Sequence, residues 1–452
     1  MNTVFLELRE KYESIIYKSY NIREDNDNYI IEYFFEIPNL EEFHPSLSFS
    51  KSLIKNKNID RRLVEKIVFH IGMIELISYF KCCCPKKIIV EAGFLDEYEI
   101  SWFKNVYYNG LGEFLYKNNI PISKDEFFDF VILGEKIVTN DFDYYGAGNL
   151  IPVGGGKDSV VTLELLRDYK NDNMPFIVNP KTASLECCYC ASYNDNDICK
   201  VNRVIDKKLL ELNRKGFLNG HVPISAVFAF VSYLMAYFTN KRYIVLSNEN
   251  SANEATVIGT NINHQYSKSY EFEKDFFEFT KKNYKIDILY FSMLRPLKEI
   301  QIAMLFAKYK KYHHIFKSCN LGSKEKEWKW CCNCPKCLFV YIILAAFLTK
   351  EEIVSIFSKD LLDDSNLEVS FKELIGVEKT KPFECVGSIS EVIFALNKYI
   401  EKYDNNELPY LVKLYKDKYY KDEKIDLYEL DVLHNVIPEY YDVLKRSILN
   451  DN

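Results

Sequence analysis

Apolar residues along the middle of the chain follow two alternating rhythms. Residues 150–153 (LIPV) form a short extended run that leads into glycines, and residues 160–166 place apolar side chains on one helical face. Residues 174–178 (MPFIV) resume an extended run within the span of one strand–helix–strand unit. Farther on, residues 201–212 predict a helix and 225–239 a long buried helix. Residues 243–246 (YIVL) predict a parallel strand that empties into the polar segment 247–254 (SNENSANE). This alternation predicts an α/β fold with a doubly wound parallel sheet over residues 141–348. Such a sheet places its ligands beyond the carboxyl ends of its strands, where the glycines and the polar segment both fall.

On either side the pattern changes. Residues 1–140 mix aromatic-rich segments such as 29–37 (YIIEYFFEI) with a helical pattern at 63–79 and an apolar run at 87–92. They predict an N-terminal α/β domain with no motif legible as chemistry. Residues 349–452 read as a mainly helical C-terminal region, broken at 382–387. The most apolar helical stretches, 226–238 and 338–348, fall short of the roughly 18 apolar residues of a membrane span, so they are expected in the core and no membrane partner is expected. Residues 1–7 (MNTVFLE) soon give way to charge and lack the pattern of an export signal, so a cytoplasmic address is expected. With 58 basic against 65 acidic side chains, the formal charge of -7 offers no surplus to steer nucleic acid, and no nucleic-acid partner is expected. The 13 cysteines, clustered at 82–84, 187–199 and 319–337, suit metal binding or chemistry better than a disulfide framework.

The run 154–159 (GGGKDS) has the layout of a phosphate-binding loop. Gly154, Gly155 and Gly156 let the backbone turn tightly, so that N–H groups up to Ser159, with the Ser159 hydroxyl, face phosphate oxygens at the positive end of the next helix. Lys157 would neutralise charge on the leaving group, and Asp158 would orient the loop or help hold Mg²⁺. The common nucleoside-triphosphate loop is excluded, because it would need glycine at Ile151 and a hydroxyl residue at Asp158. A second constellation is Cys319 with Cys331, Cys334 and Cys337, whose two-residue spacings let thiolates converge on one tetrahedral ion. Four thiolates leave no open position, so zinc there would be structural. An iron–sulfur cluster is the alternative, although Tyr341 stands where its usual next cysteine would be. Cys332 is expected to stand outside the set, and the irregularly spaced Cys187, Cys188, Cys190 and Cys199 to be buried thiols.

The spelling GGGKDS resembles the SGGxDS loop of the PP-loop (HUP-like) ATP pyrophosphatases, which cleave ATP between its α and β phosphates. Gly154 takes the place of the usual first serine, so one hydroxyl contact is missing or supplied from elsewhere. The late cysteine cluster is similar to that of the 7-cyano-7-deazaguanine synthases. The finer wording resembles another family. Residues 220–223 (GHVP), 247–254, 263–273 (NHQYSKSYEFE), 295–297 (RPL), 330–337 and 381–387 (KPFECVG) together look like the ATP-dependent UDP-N-acetylmuramoyl-L-alanyl-L-glutamate epimerases of MurL type.

That resemblance implies a UDP-MurNAc-dipeptide substrate whose terminal L-Glu is inverted to D-Glu, with ATP consumed to AMP and diphosphate. Lys157 and Asp158 would serve the adenylation. Proton exchange at the glutamate Cα needs an acid and a base; Cys385, a possible carbon base, and His264 are the leading candidates, beside His221, Tyr266 and Lys268. Asn248, Glu249, Asn253 and Glu254 are expected near ligand by position, with helix capping as their plainer role. Lys268 and Arg295 would meet substrate carboxylates or phosphates, with ordinary salt bridges as the competing account. The alternatives are a PP-loop enzyme adenylating a carboxylated 7-deazaguanine or a tRNA base, and a nucleotide-binding module without turnover.

Overall fold

The computed structural model describes residues 2–139, 143–257, 259–319, 321–322 and 329–449. The boundary expected at residues 140 and 141, and the last three residues of the chain, lie outside these. Strands β1 (Ser14–Glu24), β2 (Asn28–Ile37), β3 (Glu41–Phe43), β4 (Ser46–Ser50), β5 (Lys87–Val90), β6 (Asp129–Ile132), β7 (Asn149–Pro152), β8 (Asn173–Val178), β9 (Cys199–Val204), β10 (Tyr243–Leu246) and β11 (Leu289–Ser292) join in one sheet. Its order is β11-β10-β7-β8-β9-β4-β2-β1-β5-β6, with β3 on β2. The five strands from β7 onward are all parallel, and counted from β7 they lie 3-2-1-4-5, a doubly wound order. The order in which strands are added reverses between β7 and β10, so the loops leaving these two parallel strands flank a topological switch point.

The sheet runs on into the N-terminal region without a break. β4 pairs antiparallel with β9, setting Phe49 opposite Val201, and antiparallel with β2 on its other side. In β2 burial alternates strictly, with Tyr29, Ile31, Tyr33, Phe35 and Ile37 turned to the core. Strands β7, β8, β10 and β11 of the parallel half are buried on both faces, which is why they are dominated by apolar residues. Leu150, Phe176, Ile244 and Tyr290 enter one core with the helices Arg61–Glu75, Glu97–Gly110, Ile224–Phe238 and Tyr270–Tyr284. Their neighbours Ile151, Ile177, Val245 and Phe291 enter a second core with Lys157–Leu165, Glu299–Lys308, Pro335–Ala345, Ile389–Lys402 and Pro438–Leu449. The C-terminal region is mainly helical, as its pattern predicts. Among the described residues no helix is long and apolar enough to cross a membrane.

One expectation is overturned. Residues 201–212, read as a helix, divide into the end of β9 and the helix Lys207–Arg214, with Asp206 capping the latter by accepting from Lys208 N–H. Val201 sits between Val178 of β8 and Phe49 of β4, so sheet pairing on both sides outweighs the local helical period.

A buried ion pair braces the same junction. Arg203 of β9 donates to both carboxylate oxygens of Glu75, at 2.8 and 2.7 Å, with both side chains withdrawn from water. Removing one partner strands the other charge. Arg203→Ala is therefore expected to lower unfolding stability by about 3–5 kcal/mol, read from urea unfolding; a loss under about 1 kcal/mol would mean that the pair does not brace the junction.

Candidate active site

Two of the three glycines of the loop after β7 have a steric reason. Gly155 has φ +84°, and a Cβ there would lie 2.7 Å from the Ser184 backbone nitrogen. Gly156 N-caps the helix Lys157–Leu165, and a Cβ on it would lie 2.7 Å from Ser318 Oγ. At Gly154 the space is open. The free N–H groups of the helix's first turn thus face a cradle that side chains would fill, the form of an anion site. The Ser159 hydroxyl donates to the Gly156 carbonyl at 3.0 Å. Ser318 brings a second hydroxyl against the loop, and Lys317 N–H donates to the Gly155 carbonyl at 2.9 Å.

Beside the loop lies a knot of buried charge. Lys157 is withdrawn from solvent, and its ammonium binds the carboxylates of Asp158 and Glu299. Asp158, Glu249 and Glu299 can each turn an oxygen to within 4.8 Å of the others. Burial pushes Glu299 up to about 8, with Lys157 opposing and the Asp158 and Glu249 charges adding to the rise. A divalent cation would relieve that repulsion, and three hard oxygen donors beside a phosphate cradle suit Mg²⁺.

The other residues expected on this edge have mixed placements. Arg295 is fully buried: its guanidinium donates to the carbonyls of Glu249 (2.6 Å) and Lys268 (2.5 Å) and pairs with Glu273 at 3.1 Å. It thus holds the backbone of two site residues, a task different from meeting substrate. Asn253 accepts from Tyr270 N–H at 2.7 Å, the capping role, and Glu254 pairs with Lys381 at 2.5 Å. Both line a polar cavity of about 440 Å³ with Asn250, Lys298, Ser388 and Glu391. The Asn248 carbonyl accepts from Ser292 Oγ at 2.6 Å.

A second cluster adjoins the first. Cys385 is half-buried, and its sulfur accepts from Lys268 Nζ at 3.2 Å. Lys336 donates to the Cys385 carbonyl and also acts on the charges of Asp158 and Glu299, so the two clusters are contiguous. Burial alone would raise the thiol; Lys268, His264 and Lys336 pull it down to about 6. His264 donates to Glu113 through Nδ1, and its ring lies 4.3 Å from that of His221. Burial would lower His264, but hydrogen bonds with Cys385 and Glu113 raise it to about 9. Burial and the charge on His264 push His221 down to about 4. Neighbouring imidazoles are thus divided at neutral pH into one neutral and one protonated ring, beside a thiolate. Tyr266 is placed elsewhere, its hydroxyl accepting from Asn105 and its ring packed on Phe272.

The four cysteines converge as their spacing predicts. Cys319, Cys331, Cys334 and Cys337 bring their sulfurs within 4.8 Å of one another, with Cys331–Cys337 at 3.7 Å and Cys334–Cys337 at 3.5 Å. A tetrahedron with 2.3 Å zinc–sulfur bonds has edges of about 3.8 Å, so the set could hold a single metal such as zinc. Gly322 N–H and Cys337 N–H donate to Cys319 and Cys334 sulfurs, and Cys334 caps the helix Pro335–Ala345. Cys332 turns away and donates to the Phe357 carbonyl. Cys187 and Cys190 thiols go to the carbonyls of Gly155 and Lys311, and Cys188 and Cys199 lie in opposite cores.

Residues 7–293 match the family model of the MurL N-terminal domain, and residues 315–426 match that of the MurL C-terminal domain. The chain belongs to the MurL family. A protein from Micromonospora sp. is 35% identical over 330 residues, covering 72% of this chain and 73% of its own length. One from Xanthomonas oryzae pv. oryzae is 34% identical, covering 72% of each chain. One from Salinispora tropica is 36% identical over 328 residues, covering 71% of this chain and 70% of its own. All three carry the name UDP-N-acetyl-alpha-D-muramoyl-L-alanyl-L-glutamate epimerase.

Four residues of this centre escape a reading of the sequence. Glu299 had a usable signal, since it opens the helix that follows β11 on the ligand edge of the sheet. Lys336 was hidden inside the cysteine motif, and Ser318 just ahead of it. Glu113 comes from the N-terminal region and has no local signature at all. The metal reading makes a direct claim. Cys334→Ser is expected to lower bound metal from one ion per chain and to reduce thermal stability; unchanged zinc by elemental analysis would remove the four-cysteine site.

Proposed function

We propose that the chain is an ATP-dependent epimerase of peptidoglycan precursor synthesis. It inverts the terminal L-Glu of UDP-MurNAc-L-Ala-L-Glu to D-Glu through a carboxyl adenylate, releasing AMP and diphosphate. The observation that carries this reading is the contiguity of a glycine phosphate cradle and carboxylate knot with an acid–base cluster, joined through Lys268 and Lys336. The names of the relatives support the same substrate.

A free carboxylate makes the adjoining Cα–H a poor acid, because the carbanion would sit beside negative charge. Adenylation removes that charge and lets the carbonyl accept the electrons as an enolate. The N–H groups of the glycine loop, with Ser159, hold the phosphates of the substrate ATP, and Lys157 meets charge on the departing diphosphate. Asp158, Glu249 and Glu299 would hold Mg²⁺, which supplies positive charge against the phosphates. In the second cluster His221 is the neutral base and His264 the protonated acid, with Cys385 and Lys268 between them and the carboxylate knot. Cys319, Cys331, Cys334 and Cys337 would hold a structural metal, and the segment they belong to places Lys336 against the Cys385 carbonyl.

The test is incubation of the purified protein with Mg-ATP and UDP-MurNAc-L-Ala-L-Glu, following AMP, diphosphate and glutamate chirality. AMP together with D-Glu is expected, and Asp158→Ala should abolish AMP formation while the circular-dichroism spectrum stays unchanged. No AMP from protein that binds ATP would redirect the search to carboxylated 7-deazaguanines and tRNA.

The pH profile follows from the same charges. Cys385, faced by Lys268, His264 and Lys336, is a thiolate only above about 6; His264, faced by Glu113, Cys385 and His221, is an imidazolium only below about 9. Activity should therefore fall as pH drops through about 6 and again as it rises through about 9. A kcat/KM profile flat from pH 5 to 10 would exclude this pair from the reaction.

A further inference from the structure

Cys385, His264 and Glu113 stand in series, in the relation of a nucleophile, its proton carrier and the carboxylate that orients it. His264 is bound at Nδ1 by Glu113, which leaves Nε2 to serve the sulfur, while Lys268 donates to the sulfur from another segment at 3.2 Å. The arrangement is mechanically built. Thr256 accepts His264 N–H on its hydroxyl at 3.0 Å and Lys381 N–H on its carbonyl at 3.1 Å, tying the histidine segment to the cysteine segment. A β-bridge between Val257 and Thr380 reinforces the tie. Phe383 packs on Tyr116 at 5.7 Å and lies 4.4 Å from Lys117 Nζ, both on the short helix that carries Glu113. A carbon base needs only reach to the Cα proton. A histidine pinned by a carboxylate, beside a half-buried thiolate stabilised by an ammonium, is the apparatus of acyl transfer to sulfur.

We propose that Cys385 is a covalent catalyst: its thiolate takes the glutamyl acyl group from the adenylate, and inversion takes place on the resulting thioester. This rests on the function proposed above and deepens it. Sulfur attacks the acyl carbon, the C–S bond forms, the bond from that carbon to the phosphate oxygen breaks, and AMP leaves with the electron pair. The thioester carbonyl, free of anionic charge, accepts the electrons when the Cα proton is removed, so the acidifying effect of adenylation persists after AMP has gone. Acylation also removes the sulfur charge that holds His264 and Lys268 protonated, freeing both to move protons at Cα alongside His221. Water then adds to the carbonyl, the C–S bond breaks, the thiolate returns, and the carboxylate is regenerated with release of two protons. The sum is one ATP and one water converted to AMP and diphosphate, with inversion at Cα. The advantage is retention: an adenylate lost to water before inversion consumes ATP for nothing, whereas an acyl group on Cys385 stays in place. Glu113 is the positioning residue of the series.

The experiment is an acid quench of full-length protein mixed with Mg-ATP and UDP-MurNAc-L-Ala-L-Glu, from milliseconds to minutes, for the wild type and for His264→Asn. Peptide mass spectrometry then locates any adduct. The expected result is the substrate mass less one water on the peptide containing Cys385, absent from Cys385→Ala, which still releases diphosphate. Diphosphate release without a protein-bound acyl group in either protein at any time overturns the thioester and leaves the epimerase reading standing. Absence of diphosphate with this substrate overturns both. For Glu113→Gln, the alkaline limb of kcat/KM should move to lower pH, since the carboxylate raises His264; an unmoved limb removes Glu113 from the series.

Discussion

The centre depends on the placement of one buried guanidinium. Arg295 follows β11, at the edge of the parallel half, and reaches the carbonyl of Glu249 after β10 and the carbonyl of Lys268 after the next loop. Each contact is to main chain, so the arginine sets the positions of two segments whose side chains face the proposed reaction. Glu273 on the helix Tyr270–Tyr284 balances its charge, which matters because an uncompensated buried ion costs several kcal/mol. With this strut in place, the Glu249 carboxylate and the Lys268 ammonium stay in register, although Glu249 lies in a loop and Lys268 ends a single 3₁₀ turn, Tyr266–Lys268. Charge complementarity to a ligand would require an exposed guanidinium; full burial assigns this one to the scaffold instead.

Charge crowding sets the next constraint. Two carboxylates about 5 Å apart repel by about 3 kcal/mol at an effective dielectric of 20, and Asp158, Glu249 and Glu299 make three such pairs. Lys157 binds two of them, which leaves net negative charge that adds to the effect of burial in raising Glu299. Lys268 and Lys336 supply the balance from outside the knot, and Lys336 does so from within the four-cysteine segment. The same segment begins beside the glycine loop, through Lys317 and Ser318. A metal held by Cys319, Cys331, Cys334 and Cys337 would therefore clamp two ends of the centre at once. Its contribution would be geometric, because all four donors would be consumed in holding it.

What the sequence discloses of this centre follows from how local each constraint is. The glycine loop is legible because a tight strand-to-helix turn with open backbone N–H groups writes itself into consecutive residues, and the cysteine cluster because thiols two residues apart can converge on one point. The strand β10 and its polar continuation are legible for the same reason. β9 was misread because residues 201–212 carry a helical period, while the force that makes residues 199–204 a strand comes from β4, some 150 residues earlier. Glu113 was invisible for an analogous reason. Its significance lies in His264, 151 residues later, and a glutamate on a short helix has no sequence feature that says so. Arg295 shows the converse limit: its charge suggested a ligand, and only the burial decides otherwise.

The contribution of the N-terminal region can be argued from the two histidines. Rings 4.3 Å apart in similar surroundings would share one proton with no preference for either, which would leave the roles of acid and base unassigned. Glu113 bonds His264 and lies farther from His221, at 3.7 Å, so its charge favours one ring over the other. The proton on His264 in turn repels a proton on His221. Cys385 and Glu113 thus act together to separate the two rings, and Glu113 does so from a helix in the region joined to the parallel half through β4. That helix is packed through Tyr116 and Lys117 on Phe383, two residues from Cys385, so the N-terminal region serves the proposed chemistry through a carboxylate docked on the C-terminal half of the site.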